Sequence, residues 1–308
     1  MSEPKREPKP PRPLPESESR EKEPFDVGIA QEPDPGHTVC EDAYTADPEH
    51  GFFAVYDGAG GITGARAAAE LARAMVTQYL DKNLTDDITD IKAIRQIIEQ
   101  AVYFSDGHII DDLTEGATTA TVVIIRKLGD KTIAICASVG DSRFYVKKQS
   151  SELLQVSVDD NYLTQLDIAG KPITLAEINR LNRLFSTIRS VDELDSEKKY
   201  VLDDNKFSER TLYKMLNLTS VLGGQEANEV HIVTKVLEAG DTLVLCTDGI
   251  SDLVPHNDLA AGINPDDSAQ VNADRLLQLS KDGLRIGPNN KTEDDRTVIV
   301  IKGKNQTK

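Results

Sequence analysis

The sequence predicts an α+β fold in which antiparallel β-sheets pack against helices. Three observations carry this. Short runs rich in aliphatic and β-branched residues recur along the chain, among them "FFAVY", "ATTATVVIIRK", "KTIAICASVG", "DTLVLCTDG" and "RTVIVIKG". Two of these runs are joined by Gly129-Asp130, which reads as a hairpin. The helical patterns fall in blocks instead of alternating strictly with the strands, which separates α+β from a doubly wound α/β sheet.

The elements follow in a readable order. Phe25 to Ala30 is a short strand, and Tyr44 and Phe52–Tyr56 mark a further pair. Ile62 to about Leu80 is a helix built from strong helix formers in "GARAAAELARAMVTQYL". Ile91 to Phe104 is a second helix, with apolar residues at 91, 94, 97, 98, 101 and 102. The β-rich runs come next, ending in "SRFYVKK". A block at about 162–216 then interrupts them. Its apolar positions 178, 181, 184, 185, 188 and 191 share one helical face, and "ERTLYKMLNL" predicts another helix. After the strand "EVHIVTKVLE" come "DTLVLCTDG", a helix at about 268–281 and a final strand. No internal repeat is present.

Composition narrows the function. The 308 residues allow a real core, and 39% hydrophobic with 28% charged residues is ordinary for a globular protein. The formal charge of -17 repels nucleic acid and anionic membranes, so neither is an expected partner. Residues 1–24 hold seven of the 14 prolines with six basic and six acidic residues, the signature of a solvated tail. Its charge is balanced, so the acidity belongs to the domain expected over 25–303. Cys40, Cys136 and Cys246 include no CxxC pair, which predicts reduced, buried thiols and a cytoplasmic setting. No stretch approaches the ~18 apolar residues of a span, and no secretory signal is seen at the N-terminus. A monomer is expected.

"GFFAVYDGAGG", residues 51–61, poses the functional question. A dinucleotide fingerprint would place a glycine where Thr63 stands, and no Gly-Lys-Ser/Thr follows. A nucleotide loop also gives Asp57 no role. Asp57 has counterparts: Asp248-Gly249 after "LVLCT", Asp294 and Asp295 before "RTVIVI", Glu41 and Asp42 before a short strand, and Asp141 in a turn between strands. One Asp-Gly is usually a turn. Several carboxylates at strand ends repel one another unless cations intervene, and Mg²⁺ or Mn²⁺ take such oxygen ligands. Two such ions close together can activate a hydroxide.

The ordered motifs "CEDAY", "VYDGAGG", "GATTATVV", "SVGDSRFYV", "LTSVLGG", "LCTDGISD" and "EDDRTVIVI" resemble the metal-dependent protein phosphatase family, the type 2C Ser/Thr phosphatases, in a bacterial-like form. The resemblance runs from about Phe25 to Lys302. It implies an αββα sandwich of two antiparallel sheets flanked by helices, with block 162–216 as a helical flap insertion. It implies two Mn²⁺ or Mg²⁺ ions: Asp57 bridging both, the Gly58 carbonyl joining them, and Asp248 and Asp294 holding one. Glu41 and Asp42 would act directly or through water, and Asp141 with Asp248 would form a weaker third site. A bridging hydroxide would attack phosphorus in phosphoserine or phosphothreonine of a protein, the product of a Ser/Thr kinase, with Asp57, Asp248 and Asp294 as the catalytic set.

Two departures stand out. Ala59 occupies the place of a histidine proposed to protonate the leaving alkoxide, a loss of about 10²- to 10⁴-fold where that acid is used. His37 stands where the family often has a phosphate-gripping arginine, and Arg66 is a compensating candidate. "SDGHIIDD" contains a literal Asp106-Gly107-His108, but it follows a helix and not a buried strand, so His108 is expected in a loop. Arg143 is expected to anchor its turn. The rival reading is a pseudophosphatase, a scaffold or regulatory binding domain with little turnover. Nucleotide binding stays as a third.

Overall fold

The computed structural model describes residues 24–59, 64–150, 152–160, 167–168, 171–172, 174, 176–177, 199–202, 205–208, 219–224, 229–282 and 294–304. Ten strands form two five-stranded sheets. They are β1 (Phe25–Glu32), β2 (Ala43–Asp47), β3 (Phe52–Tyr56), β4 (Ala120–Leu128) and β5 (Lys131–Val139). The rest are β6 (Arg143–Lys147), β7 (Leu153–Gln155), β8 (His231–Leu237), β9 (Thr242–Cys246) and β10 (Arg296–Gly303). Sheet I has the order β1-β10-β9-β6-β7, and sheet II the order β8-β5-β4-β3-β2. Every neighbouring pair is antiparallel.

Strand alternation builds three apolar layers. Phe53 and Val55 of β3, Phe144 and Val146 of β6, and Ile299 and Ile301 of β10 meet between the sheets. The opposite faces turn outward: Phe52, Ala54 and Tyr56 meet helices α1 (Ala65–Asn83) and α2 (Ile91–Asp112). Val244, Val298 and Val300 meet helices α3 (His256–Gly262) and α4 (Ala269–Lys281). Both faces of each sheet are therefore covered, which is why β3, and β9 after Thr242, are apolar and buried at every position. The result is a helix–sheet–sheet–helix sandwich.

Local signals set the helix ends. Asp90 caps α2 by accepting from the Lys92 and Ala93 amides, and Ser268 caps α4 by accepting from Val271. Alanines 65, 68, 69 and 72 line the buried face of α1 and let it lie close to the sheet. α2 corrects one expectation. It runs on to Asp112, so His108 is helical, bonded through Nδ1 to Asp112 at 3.2 Å and edge-on to Phe104. Gly107 does not end the helix because Ser105 and Ile109 are buried on either side of it. Asp106 accepts the Gly223 amide at 2.7 Å.

The helices expected at 178–191 and 209–218 lie outside the described residues. Within block 162–216 the described residues include two short hairpins, 167–168 with 171–172 and 199–202 with 205–208. The three cysteines are free and buried. Among the described residues no helix is long and apolar enough to cross a membrane.

Candidate metal centre and active site

The strand-end carboxylates gather at one end of the sandwich, across the seam between the sheets. Glu41 and Asp42 lead into β2, and Asp57 follows β3, both in sheet II. Asp248 follows β9, and Asp294 precedes β10, both in sheet I. Asp141 lies in the turn that carries the chain from β5 in sheet II to β6 in sheet I.

Hydroxyls and close backbone approaches fix these loops. The Asp57 amide donates to Thr119 Oγ1 at 3.0 Å, and that hydroxyl meets Ser142 Oγ at 2.7 Å. The Asp57 loop and the Asp141–Ser142 turn are thereby tied together. Thr118 donates its hydroxyl to the Asp57 carbonyl at 2.8 Å. A Cβ on Gly58 would stand 2.8 Å from the Glu41 carbonyl oxygen and 2.7 Å from the Ala65 backbone, so only glycine lets Asp57–Gly58 lie against Glu41. On the other side, Gly249 touches the Asp294–Asp295 segment. A Cβ there would be 2.0 Å from the Asp295 carbonyl oxygen and 3.2 Å from Asp294 Cβ. Gly249→Ala is expected to cost about 1–3 kcal/mol by overpacking, and to weaken cation binding by moving Asp248 and Asp294 apart. Urea denaturation and a Mn²⁺ titration would check both.

Asp42 is the most constrained of the set. It is 5% exposed, and its Oδ2 accepts from Thr247 Oγ1 at 2.9 Å and Thr297 Oγ1 at 2.7 Å. Its Oδ1 is buried with no hydrogen-bond partner among the described residues. Burial raises its pKa to about 8 against the pull of the two threonine hydroxyls, and the charges of Asp248 and Asp295 push the same way. Asp141 is also raised well above the ordinary carboxylate range, by burial and then by Asp248, Asp252 and Asp159. An orphaned buried carboxylate oxygen beside several more carboxylates is the donor set that hard divalent cations take.

The sign of the resulting pH dependence follows from linkage. A carboxyl whose folded pKa is raised contributes stability below its unfolded value, near 4, and loses it as pH rises through about 8. Metal-free protein is expected to lose on the order of a few kcal/mol between pH 5 and pH 8. Saturating Mn²⁺ should abolish that slope, since the bound form is already ionised. Urea melts with and without EDTA test this.

Asp295, adjacent to Asp294, has a separate job. It is 4% exposed, and its carboxylate accepts the Asp34 amide at 2.5 Å and the Glu41 amide at 2.6 Å. His37 Nδ1 lies 3.3 Å from the same group. Loop 34–41 is wrapped around this one side chain. His37, Glu41 and Asp295 can also bring one ligand atom each to within 4.8 Å of one another, a candidate cation-binding group. Burial opposes charge on His37, but the bond from Asp295 and the charges of Asp295, Glu41 and Asp34 outweigh it and raise its pKa. Arg66 is exposed on α1, and its guanidinium donates to the Cys40 carbonyl at 2.9 Å. Both residues expected near phosphate therefore lie beside loop 34–41.

Behind Asp141 sits Arg143, 7% exposed. Its Nε donates to Asp159 at 2.9 Å, and an Nη lies 3.4 Å from Asp252. Burial works against its charge, but Asp159, Tyr145 and Asp252 outweigh that and hold its pKa well above the usual arginine value. The anchoring role expected for Arg143 matches this geometry. Asp160 adds a second tie: its carboxylate accepts the Gly140 amide at 2.8 Å and meets His231 Nε2 at 2.7 Å. Asp159, Asp160 and Asp252, with the threonine hydroxyls at 118, 119, 247 and 297, were not singled out by sequence reasoning, whereas Asp295 was grouped with Asp294 ahead of the last strand.

The sequence matches the family described as Protein phosphatase 2C over residues 36–285. The chain belongs to the protein phosphatase 2C family. It is 24% identical over 273 residues to "Protein phosphatase 1K, mitochondrial" of Xenopus laevis, a match covering 82% of this chain and 61% of that relative. It is 24% identical to the "Serine/threonine phosphatase stp" of Listeria welshimeri, covering 80% of this chain and 82% of the relative. The fold is similar to the Mycobacterium tuberculosis serine/threonine phosphatase PstP/Ppp, with TM-score 0.61 and 20% identity over 91% of this chain and 99% of that one. A structure of the PstP catalytic domain "in complex with 2 Manganese ions" gives TM-score 0.60 and 19% identity, covering 90% and 97%. In this protein phosphatase 2C member the acidic cluster thus sits in a sandwich shared with bacterial phosphatases. Ala59, next to it, pairs in a short antiparallel bridge with Ala117.

Proposed function

We propose that this chain is a Mg²⁺- or Mn²⁺-dependent phosphatase acting on phosphoserine and phosphothreonine in proteins, substrates made by a Ser/Thr kinase. The observation that carries the reading is the buried, orphaned Oδ1 of Asp42 among carboxylates from both sheets. Family membership supports the same chemistry. Asp57, the Gly58 carbonyl, Asp248 and Asp294 would hold two ions, Glu41 and Asp42 would complete their surroundings, and Asp141 with Asp248 would offer a weaker third site. The ions, when bound, would supply an activated hydroxide and neutralise phosphate charge.

The chain's own residues set up the rest. Asp295 holds His37 by Nδ1, which leaves Nε2 free to donate toward a phosphate oxygen. This donor lacks the two-pronged grip of an arginine. Arg66 braces the Cys40 carbonyl just before Glu41, and its charge stands at the rim of the site. The Thr118, Thr119 and Thr247 hydroxyls keep Asp57 and Asp42 in place without competing as charges.

Phosphate release from a phosphothreonine peptide in Mn²⁺ tests the reading. Release that stops with EDTA supports it, and equal release with EDTA rejects it. Ala59 favours one competing reading, a domain that binds phosphoprotein with little turnover. No turnover in saturating Mn²⁺ together with tight phosphopeptide binding would establish that role instead. For an active enzyme, Ala59→His is expected to raise the rate on alkyl phosphates by about 10-fold or more relative to aryl phosphates, whose leaving groups need no proton. An unchanged alkyl-to-aryl ratio would show that position 59 takes no part in proton delivery.

A further inference from the structure

The chain enters the inserted block after Asp160 and comes back from it at Thr219, and one residue holds both points. The Thr219 amide donates to the Asp160 carbonyl at 2.8 Å, and the Asp160 amide donates to the Gly140 carbonyl at 2.9 Å. The Gly140 amide returns a 2.8 Å bond to Asp160 Oδ2. Gly140 directly precedes Asp141. It has a φ of 96°, and a Cβ there would lie 2.6 Å from Thr119 Cγ2, so the turn is pressed against the residue that holds the Asp57 amide. The returning chain makes a matching contact. Thr118 and Leu222 exchange backbone bonds at 3.1 and 2.8 Å, and the Thr118 hydroxyl holds the Asp57 carbonyl. Both ends of the block therefore stand on the loops that carry Asp57 and Asp141.

We propose that Asp160 is a positioning residue for the acidic cluster and that His231 holds its carboxylate in place, so that the pair clamps the root of the inserted block to the Asp141 turn. Asp160 is 4% exposed, and its two carboxylate oxygens are divided between two elements. Oδ2 takes the Gly140 amide, and Oδ1 meets His231 Nε2 at 2.7 Å. His231 opens β8, the edge strand of sheet II. Opposite it in register stands Ser138 of β5, whose hydroxyl donates to the Val158 carbonyl at 3.2 Å and draws segment 158–160 over the same edge. Turn, block root and sheet edge thus meet at one side chain. Its bond to His231 is the only one of these contacts that a proton can switch.

The surroundings of His231 set the direction of that switch. The bond from Asp160 raises its pKa, burial opposes this, and the charges of Asp160, Glu229 and Asp159 add to the rise. β5 presents uncharged Ser138, and α2 brings Arg95, which donates to the Ile232 carbonyl and to Thr234, each at 3.1 Å. A raised imidazole pKa means that the charge-assisted bond is fully present below the ordinary value of about 6.5 and is lost as pH rises through the folded value. Asp42 gives a slope of the same sign, so the assignment rests on variants of His231 itself.

The test is amide exchange of the full chain in EDTA, read as protection of Gly140 and Thr219, with calorimetric titration of Mn²⁺ beside it. Wild-type protection is expected to fall about tenfold from about pH 6 to about pH 9, and His231→Ala should show the lower value at both. His231→Gln keeps an amide donor and should restore protection at both pH values without the slope. The cation part of the proposal rests on the phosphatase reading above. His231→Ala should bind Mn²⁺ about threefold to tenfold more weakly, with a loss of turnover that excess Mn²⁺ restores, whereas a merely structural role would lower turnover at every Mn²⁺ concentration. Equal protection in wild type and His231→Ala would overturn the clamp, as would a slope retained in His231→Gln, which decides the matter if His231→Ala fails to fold. Lowered protection with unchanged Mn²⁺ affinity would overturn the positioning role. A wild type that neither binds Mn²⁺ nor turns over would instead reject the phosphatase reading, and the exchange data would still decide the clamp.

Discussion

Asp248→Asn is expected to abolish turnover while making the metal-free protein harder to unfold. Asp248 is 7% exposed, and its charge helps raise the pKa of both Asp42 and Asp141. In the absence of cations that carboxylate is a repulsive neighbour. An asparagine keeps the shape, removes the repulsion and is a poor ligand for a hard cation. If the ions supply about 4 kcal/mol of transition-state stabilisation, losing one costs about 10³-fold in kcat/KM. The metal-free variant should gain about 1 kcal/mol from the relieved repulsion. A simple folding defect would move both readouts down together. Kinetics across a Mn²⁺ series and urea melts in EDTA separate these outcomes, and retained activity would reject the proposed role of Asp248.

The second large effect concerns stability. Arg143→Met should destabilise the fold by about 3–5 kcal/mol, because it removes the buried guanidinium charge from beside Asp159 and Asp252. Asp159 has a pKa raised to about 6 by burial even with the guanidinium beside it, so it would take up a proton once the arginine is gone. The loss should therefore be larger at pH 8 than at pH 5. Chemical denaturation at the two pH values measures it. A change under 1 kcal/mol would mean that water reaches this pocket.

Much of this molecule is legible in its sequence, for identifiable reasons. Residues buried on both faces of a strand must be apolar throughout, so "FFAVY" and "TLVLC" announce themselves. Strand ends on one edge of a sandwich converge, so Glu41, Asp42, Asp57, Asp141, Asp248 and Asp294 could be grouped without coordinates. Neighbouring carboxylates were harder to tell apart. Asp294 and Asp295 read alike and both adjoin Gly249, yet it is the Asp295 side chain that is spent holding the Asp34 and Glu41 amides. That division depends on a loop more than 250 residues away in sequence, which no local pattern encodes. The second helix was drawn only to Phe104, which put His108 in a loop, but it runs on to Asp112 through Gly107. The glycine's cost of about 1 kcal/mol is small beside the burial of Ile98, Val102 and Ile109 along the same helix. Threonine hydroxyls such as Thr119 and Thr247 look like ordinary β-formers until their partners are known.

The acidic cluster joins two layers whose shared interior is built from oily contacts such as Phe53, Phe144 and Ile299. Such contacts resist separation but have little preferred direction and resist sliding weakly. A cation gripped by Asp57 on one layer and Asp248 on the other would act as a rivet, converting a greased joint into a fixed one. Chelation would then loosen the whole sandwich, so amide exchange should quicken in the middle of both sheets, far from any ligand, and slow again when Mn²⁺ is restored.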